Sequence, residues 1–390
     1  MQSLFPIERA AKRTALLKAV DGVRDTLQAG VAAAEAERTL PAASVRALRE
    51  AGLFALKAPI ALGGAEADPV TQIEVIEAIS YIDPSAGWAS FIGAGALSLC
   101  AFLPDAAIER MWAGGRIPTA AGLVMPGRAV RENGGYRVNG RWSWGSGIRH
   151  AEWVGVHVIV EDAAGAPAGS RFVMLPASDI EIHDNWYVSG LKGTGSCDFT
   201  IADRLVPESF SFDLRKMAPV RGGPLYNLGM PGLIANELGG FAVGVARRAL
   251  DEIIAQALNK RRGYGKKATV ADRPVFQHAL GECDLKLRAA RGLMIEVYEK
   301  AWVTVSGGTR PDAAQQVEMR SVVAYAMHTA LEVAQQAFRY GGGSAVHLDN
   351  MLQRCVRDLQ VASVHLIVND SIYEQHGKRL LGATDLNPMV

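Results

Sequence analysis

Long uncharged apolar runs are missing from this 390-residue sequence, and so is an excess of charge of either sign. No stretch approaches the roughly 20 apolar residues that a membrane-spanning helix requires, and we expect no secretory signal. The formal net charge of +1 gives no electrostatic reason to expect a nucleic acid or an anionic membrane as a partner. We therefore predict neither a nucleic-acid-binding protein nor a membrane protein.

Metal-ligand and disulfide spacings are missing as well. The four cysteines show no Cys-x-x-Cys pair, and the eight histidines show neither His-x-His nor His-Glu-x-x-His. Such spacings are what zinc sites and disulfide frameworks leave in a sequence. We predict no metal site, and we expect reduced, buried thiols in a cytoplasmic protein.

Three segments with different hydrophobic periods follow one another along the chain. Apolar residues recur at helical spacing in the first segment and alternate with polar residues in the second. The third segment has four long amphipathic stretches with short connections, which is typical of an antiparallel bundle. The fold is therefore predicted to be mostly α-helical with a central β-domain. The predicted domains are an N-terminal helical domain (1–118), a middle β-barrel or sandwich (119–211) and a C-terminal four-helix bundle (212–390).

Two local patterns give sharper predictions. Asn139-Gly140 lies between alternating residues, and Asn-Gly is favoured in two-residue hairpin turns because both residues tolerate a left-handed backbone. The fourth helical stretch, 349–382, reads as one continuous helix. On that helix Arg354, Asp358, His365 and Asn369 follow at spacings of four, seven and four, which would place them on one polar face.

Alternating aromatic residues run into a glycine–serine–glycine turn in the middle segment. Trp144 is followed by Gly145, Ser146 and Gly147, so residues with small or no side chains adjoin a large ring. A flat ligand with a polar edge needs such aromatic contact and close backbone approach. A packed corner of the sheet explains the same residues.

The order of the three segments resembles the acyl-CoA dehydrogenase fold. In many acyl-CoA dehydrogenases a glutamate near the end of the chain abstracts the substrate α-proton, but this sequence has Leu366 there, next to His365. Without that carboxylate, desaturation of a thioester has no evident base. The chain instead resembles the oxygenase components of two-component flavin-dependent monooxygenases. The resemblance to the fold is carried by GRWSWGSGIRHAEW, GLKGTGSCDFTIADRLVP, KRRGYGKK with VFQHALGE, and GGGSAVHLDNMLQRCVRDL. The resemblance to the oxygenase components is carried by ASVHLIVND, PSAGWASF with Trp88, SGIRHAEW and GLKGTGS.

The resemblance implies an activity and its partners. Such an oxygenase takes reduced FMN (or FAD) as a diffusible co-substrate from a separate NAD(P)H:flavin reductase. With O2 it forms a C4a-(hydro)peroxyflavin and hydroxylates a small aromatic or heteroaromatic substrate. The resemblance also implies a homotetramer, because the fold usually completes its flavin site with a neighbouring chain.

The resemblance further implies roles for individual residues. Ser146 would bond near flavin N5, and His365 would hold the oxygenated flavin or deprotonate a phenol, with Asp358 or Asp370 as a candidate helper. His150 and Asn369 would line the substrate pocket. The predicted flavin contacts are Trp88, Trp144, Gly145, Ser146, Thr194, Ser196, Arg261, Gly342 and Gly343.

Structural roles would account for several of these residues equally well. Core packing explains Trp88, a solvated basic helix end explains Arg261, and a helix-capping turn explains Gly342 and Gly343. Two rival functions also stay open. One is an acyl-CoA dehydrogenase with bound FAD and a displaced base, and the other is a helical-bundle binding protein without catalytic activity.

Overall fold

The computed structural model describes residues 3–162, 164–259 and 269–390. Five α-helices in the described chain precede the first strand, and the carboxylate of Glu8 caps the first of them by accepting from the Ala10 and Ala11 amides. Pro69 and Pro84 open two others, at positions where a proline costs the helix no hydrogen bond. These helices are α1 (Arg9–Glu37), α2 (Ala42–Glu50), α3 (Pro69–Ile82), α4 (Pro84–Ser98) and α5 (Asp105–Met111).

Seven strands of the described residues form a single sheet in the order β5-β6-β2-β1-β3-β4-β7. Neighbouring strands are antiparallel except β1 and β3, which run parallel. Aromatic and branched side chains such as Tyr136, Val138 and Trp142 are buried on β2 and supply the core of this sheet. The strands are β1 (Ala120–Glu132), β2 (Gly135–Gly145), β3 (Trp153–Glu161), β4 (Pro167–Pro176), β5 (Glu181–Ile182), β6 (Cys197–Pro207) and β7 (Ser211–Asp213).

The hairpin turn predicted at Asn139-Gly140 is wrong. The turn between β1 and β2 is formed by Asn133 and Gly134, and Glu132 pairs with Gly135 across it. Gly140 lies inside β2, where a Cβ atom would stand 2.7 Å from the Trp142 ring. The glycine at this position is therefore explained by ring packing rather than by a turn.

Five α-helices in the described chain follow the sheet, and three of them are 28 residues or longer. The prediction of one continuous helix over 349–382 is wrong. The chain leaves the helix after Ala362, makes a 3₁₀ turn at Leu366–Val368, and becomes helical again at Ser371. The helices are α6 (Gly232–Asn259), α7 (Pro274–Ser306), α8 (Ala313–Gly341), α9 (Met351–Ala362) and α10 (Ser371–Leu380).

Contacts divide the chain into two compact units. The second unit combines α3 with the C-terminal helices, and Arg291 of α7 donates to the Glu77 carboxylate of α3 over 2.7 Å. The first unit contains the sheet and the other N-terminal helices. The division into three domains at 118 and 211 stays a prediction. The units comprise the described parts of Met1–Asp68, Trp88–Tyr187 and Lys192–Asn227, and of Pro69–Gly87, Val188–Leu191 and Leu228–Val390.

Two absences hold for the described residues. None of their helices is long and apolar enough to cross a membrane. The same residues contain no group of three or more His, Cys, Asp or Glu side chains that could hold a metal ion.

Candidate active site

Trp144 lies in a β-bulge at the end of β2. Trp142 pairs with Phe199 and Gly145 with Cys197, so β2 has one residue more than β6 between these pairs. The extra residue places Trp144 in the left-handed region, at φ +66°, and leaves its side chain 61% exposed. A bulky residue there costs on the order of 1–3 kcal/mol, and bulges commonly redirect a side chain next to a functional site.

The turn after Trp144 contains two glycines, and the surrounding backbone accounts for both of them. The Ser146 amide donates to the Trp144 carbonyl over 2.8 Å, and the Gly147 amide donates to the Thr194 carbonyl over 2.9 Å. A Cβ atom on Gly145 would lie 3.0 Å from the Cys197 carbonyl oxygen, and Gly147 has φ +73°. Both glycines are therefore required by the backbone path itself.

Three buried hydroxyls follow one another next to this turn. The Ser146 Oγ lies 2.7 Å from the Ser196 Oγ, which in turn lies 2.7 Å from the Thr194 Oγ1. The Trp88 indole N–H donates to the Ser146 Oγ over 3.0 Å. We call Ser146, Ser196 and Thr194 the hydroxyl chain. The structure thus brings together four residues that were predicted from separate parts of the sequence.

His150 ends the short 3₁₀ turn that follows Gly147. Its ring centroid lies 5.6 Å from that of Phe54, and its Nδ1 is buried without a hydrogen-bond partner in the described part of the chain. Burial, helped by the charge of Arg49, lowers the pKa of His150 to about 4. The ring is therefore neutral at pH 7 and keeps hydrogen-bonding capacity, which suits a residue that lines a pocket.

His365 precedes the 3₁₀ turn between α9 and α10, where its side chain acts as an N-cap. Its Nδ1 accepts from the Ile367 amide over 3.3 Å, and burial together with the charge of Arg320 lowers its pKa to about 4. In a neutral imidazole whose Nδ1 accepts, Nε2 carries the proton. The ring is therefore neutral at pH 7, with its proton on Nε2.

Arg320 holds the segment that carries His365, and it was not predicted from the sequence. Its fully buried guanidinium donates over 2.8 Å to the carbonyls of Leu366, Ile367 and Pro388, and over 3.2 Å to the Asn369 Oδ1. These acceptors lie at the helix break and in the C-terminal tail. Arg320 sits inside an ordinary amphipathic helix, so no local sequence signal points to it.

The polar face predicted from helical spacing is wrong, because α9 ends before His365. Arg354 and Asp358 instead form a buried network in the second unit. The Arg354 guanidinium lies 2.9 Å from the Asp83 carboxylate, and the Asp358 Oδ1 accepts from the Leu191 amide over 2.5 Å. These contacts give both residues a structural explanation.

The remaining predicted residues have plainer surroundings. The Asp370 side chain is 88% exposed and lies 3.8 Å from His328. Gly342 ends α8 at φ 60° and ψ −152°, a conformation for which glycine is suited, and Gly343 follows it. Leu366 is 44% exposed in the 3₁₀ turn. Arg261 lies outside the described residues.

The first unit offers the features that a flat ligand with a polar edge requires. Trp144 provides an exposed aromatic face, and Gly145 allows close backbone approach. The Ser146 hydroxyl can make three hydrogen bonds, and Trp88 and Ser196 take two of them. These residues fit a flavin ring, whose faces are apolar and whose edge forms hydrogen bonds. Their roles stay predictions.

Comparison with known proteins decides the family. Residues 13–106 match the N-terminal domain model of the acyl-CoA dehydrogenases, and residues 237–370 match the C-terminal domain model. The indole-3-acetate monooxygenase of Pseudomonas putida is 31% identical over 384 residues, which cover 98% of this chain and 97% of that protein. The chain belongs to the monooxygenases of the acyl-CoA dehydrogenase fold.

Two further relatives agree with this assignment. The flavin-dependent monooxygenase oxygenase subunit HsaA of Mycobacterium tuberculosis is 27% identical, over 90% of this monooxygenase and 91% of HsaA. The structure of XiaF from Streptomyces sp. in complex with FADH2 and glycerol has a TM-score of 0.90 at 26% identity and covers 98% of both chains. The predicted fold is confirmed, and so is the prediction of a flavin-dependent monooxygenase oxygenase component.

Proposed function

We propose that the monooxygenase hydroxylates a small aromatic or heteroaromatic compound, with reduced flavin supplied by a separate NAD(P)H:flavin reductase. The observation that carries the flavin assignment is the buried hydroxyl chain next to the strained, exposed Trp144. An aromatic face beside a hydrogen-bonding hydroxyl suits an isoalloxazine ring. An indole-type compound is the first substrate to test, because a relative with that substrate in its name aligns with nearly the whole chain.

Bound reduced flavin supplies the electrons that activate O2, and the chain supplies position and protons. Ser146 would hold the flavin edge near N5, and its hydroxyl accepts from the Trp88 N–H. Trp144 would contact the ring, while Gly145 would allow the backbone to approach it. Ser196 and Thr194 support Ser146 from the protein side.

The proposal gives the two histidines different tasks. His365 would donate a hydrogen bond from its Nε2–H to the oxygen that bound reduced flavin activates, because its Nδ1 accepts from the Ile367 amide. This geometry favours a donor over a base at this position. His150 would contact the substrate, to which its neutral ring and buried Nδ1 offer a hydrogen-bonding group. Asn369 is proposed to contact substrate through its amide N–H2, since its Oδ1 accepts from Arg320.

Several finer points belong to the same proposal. We propose reduced FMN as the co-substrate, with FAD as the alternative, and a homotetramer as the working assembly in the cytoplasm. Arg261, Gly342 and Gly343 would contact the phosphate end of the flavin. A guanidinium can bind a phosphate through two hydrogen bonds, and glycines allow the backbone to approach an anion closely.

The test is oxygen transfer from O2. The protein is incubated with a flavin reductase, NADH, FMN or FAD and indole-3-acetate under ¹⁸O2, and products are examined by mass spectrometry. The expected product carries one labelled oxygen atom, and it disappears when the oxygenase or the reductase is omitted. Simple phenols and indole extend the screen under the same conditions.

The rival functions predict other results. An acyl-CoA dehydrogenase would be purified yellow and would have its flavin reduced anaerobically by acyl-CoA thioesters. A binding protein without catalytic activity would bind flavin in neither redox state. Either result, with no labelled product across the screen, would overturn the proposed function.

A further inference from the structure

The hydroxyl chain can run in two directions, and Trp88 limits what Ser146 can do in each. An indole N–H only donates, so it permanently occupies one lone pair of the Ser146 Oγ. Ser146 is left with one proton and one lone pair. Ser196 uses one of these two, and the other is left for a ligand.

Each hydroxyl of the chain has a single proton, so the three must order together. In the inward order Ser146 donates to Ser196, and Ser196 donates to Thr194; Ser146 then presents a lone pair to a ligand. In the outward order Thr194 donates to Ser196, and Ser196 donates to Ser146; Ser146 then presents its O–H. Both O···O distances are 2.7 Å, which suits either order.

Flavin N5 changes its hydrogen-bonding character with redox state. N5 carries a hydrogen in the reduced flavin and an available lone pair in the oxidised flavin. The inward order therefore matches reduced flavin, and the outward order matches oxidised flavin. Burial of all three hydroxyls makes a mismatched contact costly, since water cannot replace the lost hydrogen bond.

We propose that the hydroxyl chain reverses direction with the redox state of the flavin, and that Thr194, as the acceptor for Ser196, favours binding of the reduced form. The inference rests on the proposed placement of Ser146 at the flavin edge. Thr194 and Ser196 then act as positioning residues, which control the Ser146 proton without contact to N5.

Thr194→Val removes the hydroxyl of Thr194 from the hydroxyl chain without a large change of shape. Valine cannot accept from Ser196, so the Ser196 proton turns to Ser146 and the chain is held in the outward order. We expect the ratio of dissociation constants, oxidised over reduced flavin, to fall about tenfold, which corresponds to one hydrogen bond. Thr194→Ser keeps the hydroxyl and is expected to keep the wild-type ratio.

Ser196→Ala interrupts the chain at its middle and serves as a second, independent variant. Ser146 then has no inner acceptor, so its proton points to the ligand and the ratio falls in the same direction. Agreement between the two variants excludes an effect peculiar to valine at position 194. A fall in one variant alone would contradict the proposal.

The measurement is an anaerobic titration of each full-length variant with FMN and with reduced FMN, repeated with FAD. Quenching of flavin fluorescence reports the oxidised form, and flavin absorbance reports the reduced form. Thermal unfolding verifies that each variant is folded. The proposal is supported if Thr194→Val and Ser196→Ala lower the ratio while Thr194→Ser does not.

Ser146→Ala separates the placement of Ser146 from the reversal of the chain. If Ser146→Ala weakens flavin binding but Thr194→Val leaves the ratio within about twofold of wild type, the reversal is overturned and the placement of Ser146 stands. If Ser146→Ala changes neither affinity, the placement of Ser146 fails and the reversal fails with it.

Discussion

The two regions to which the chemistry is assigned are held in place by different means. The turn after Trp144 is fixed by neighbouring backbone, through strand pairing, a bulge and hydrogen bonds to Thr194. The segment after His365 leaves its helix, and a distant side chain, Arg320, which lies 46 residues before Leu366 in the sequence, donates to its Leu366 and Ile367 carbonyls. The first region should therefore tolerate the loss of any single side chain, whereas the second depends on one.

Arg320→Met should produce the largest effect. It removes the donor from three carbonyls and an amide oxygen, which should cost about 3 kcal/mol. Amide hydrogen exchange in a peptide covering 363–370 should become on the order of 100-fold faster, while a peptide covering 144–150 should keep its wild-type rate.

Arg320→Lys is the matched control for charge. A lysine ammonium cannot reach several carbonyls in the manner of a planar guanidinium, so exchange in the 363–370 peptide should fall between wild type and Arg320→Met. Equal exchange of this peptide in all three proteins would show that the segment does not depend on Arg320.

The two histidines should contribute a smaller, pH-dependent effect. The folded-state pKa values of His150 and His365, about 4, lie below the ordinary value of 6.5. The unfolded chain therefore binds more protons as the pH falls below 6.5. Each neutral histidine thus stabilises the fold above pH 6.5, and this contribution is lost between pH 6.5 and 4.

The size of this effect should be about 1–2 kcal/mol per histidine between pH 7 and pH 5. Urea unfolding of wild type, His150→Gln and His365→Gln at both pH values measures it. Each variant should lose less stability than wild type on acidification. A variant with the same pH dependence as wild type would mean that the histidine at that position is not held neutral.

Trp144 should give the smallest effect on stability, in the opposite direction. Trp144→Gly relieves the strain of φ +66° and should stabilise the protein without flavin by about 1 kcal/mol. The same change removes the exposed ring and should weaken flavin binding. Trp144→Phe keeps both the strain and an aromatic face, so it should leave stability unchanged. Destabilisation by Trp144→Gly would show that the ring is held by packing.

The first of these regions was predicted from the sequence more completely than the second. Trp88, Ser146, Thr194 and Ser196 were predicted from the resemblance. The pairing of β2 with β6 brings Ser146 to Ser196 and Thr194, and Trp88 of α4 donates to Ser146. The helix break near His365 could not be predicted, because the cause is a tertiary contact from Arg320. Hydrophobic periodicity continues through the break and gives no sign of it.

The position of the hairpin turn likewise could not be predicted from the local sequence alone. Asn-Gly occurs twice, at 133–134 and 139–140, and only the first forms a turn. Both pairs satisfy the local rule for a hairpin. The choice is made by strand register, since Gly140 must pair with Ile201 and make room for the Trp142 ring.

In the proposed function, Ser146 holds the edge of reduced flavin and His365 contacts the activated oxygen. The most direct measurement mixes the protein, loaded anaerobically with reduced FMN, with oxygenated buffer and follows flavin absorbance. We predict a delay before oxidised flavin appears, which shortens in Ser146→Ala and in His365→Ala. Appearance of oxidised flavin from the wild-type protein at the rate of free reduced flavin would contradict the account.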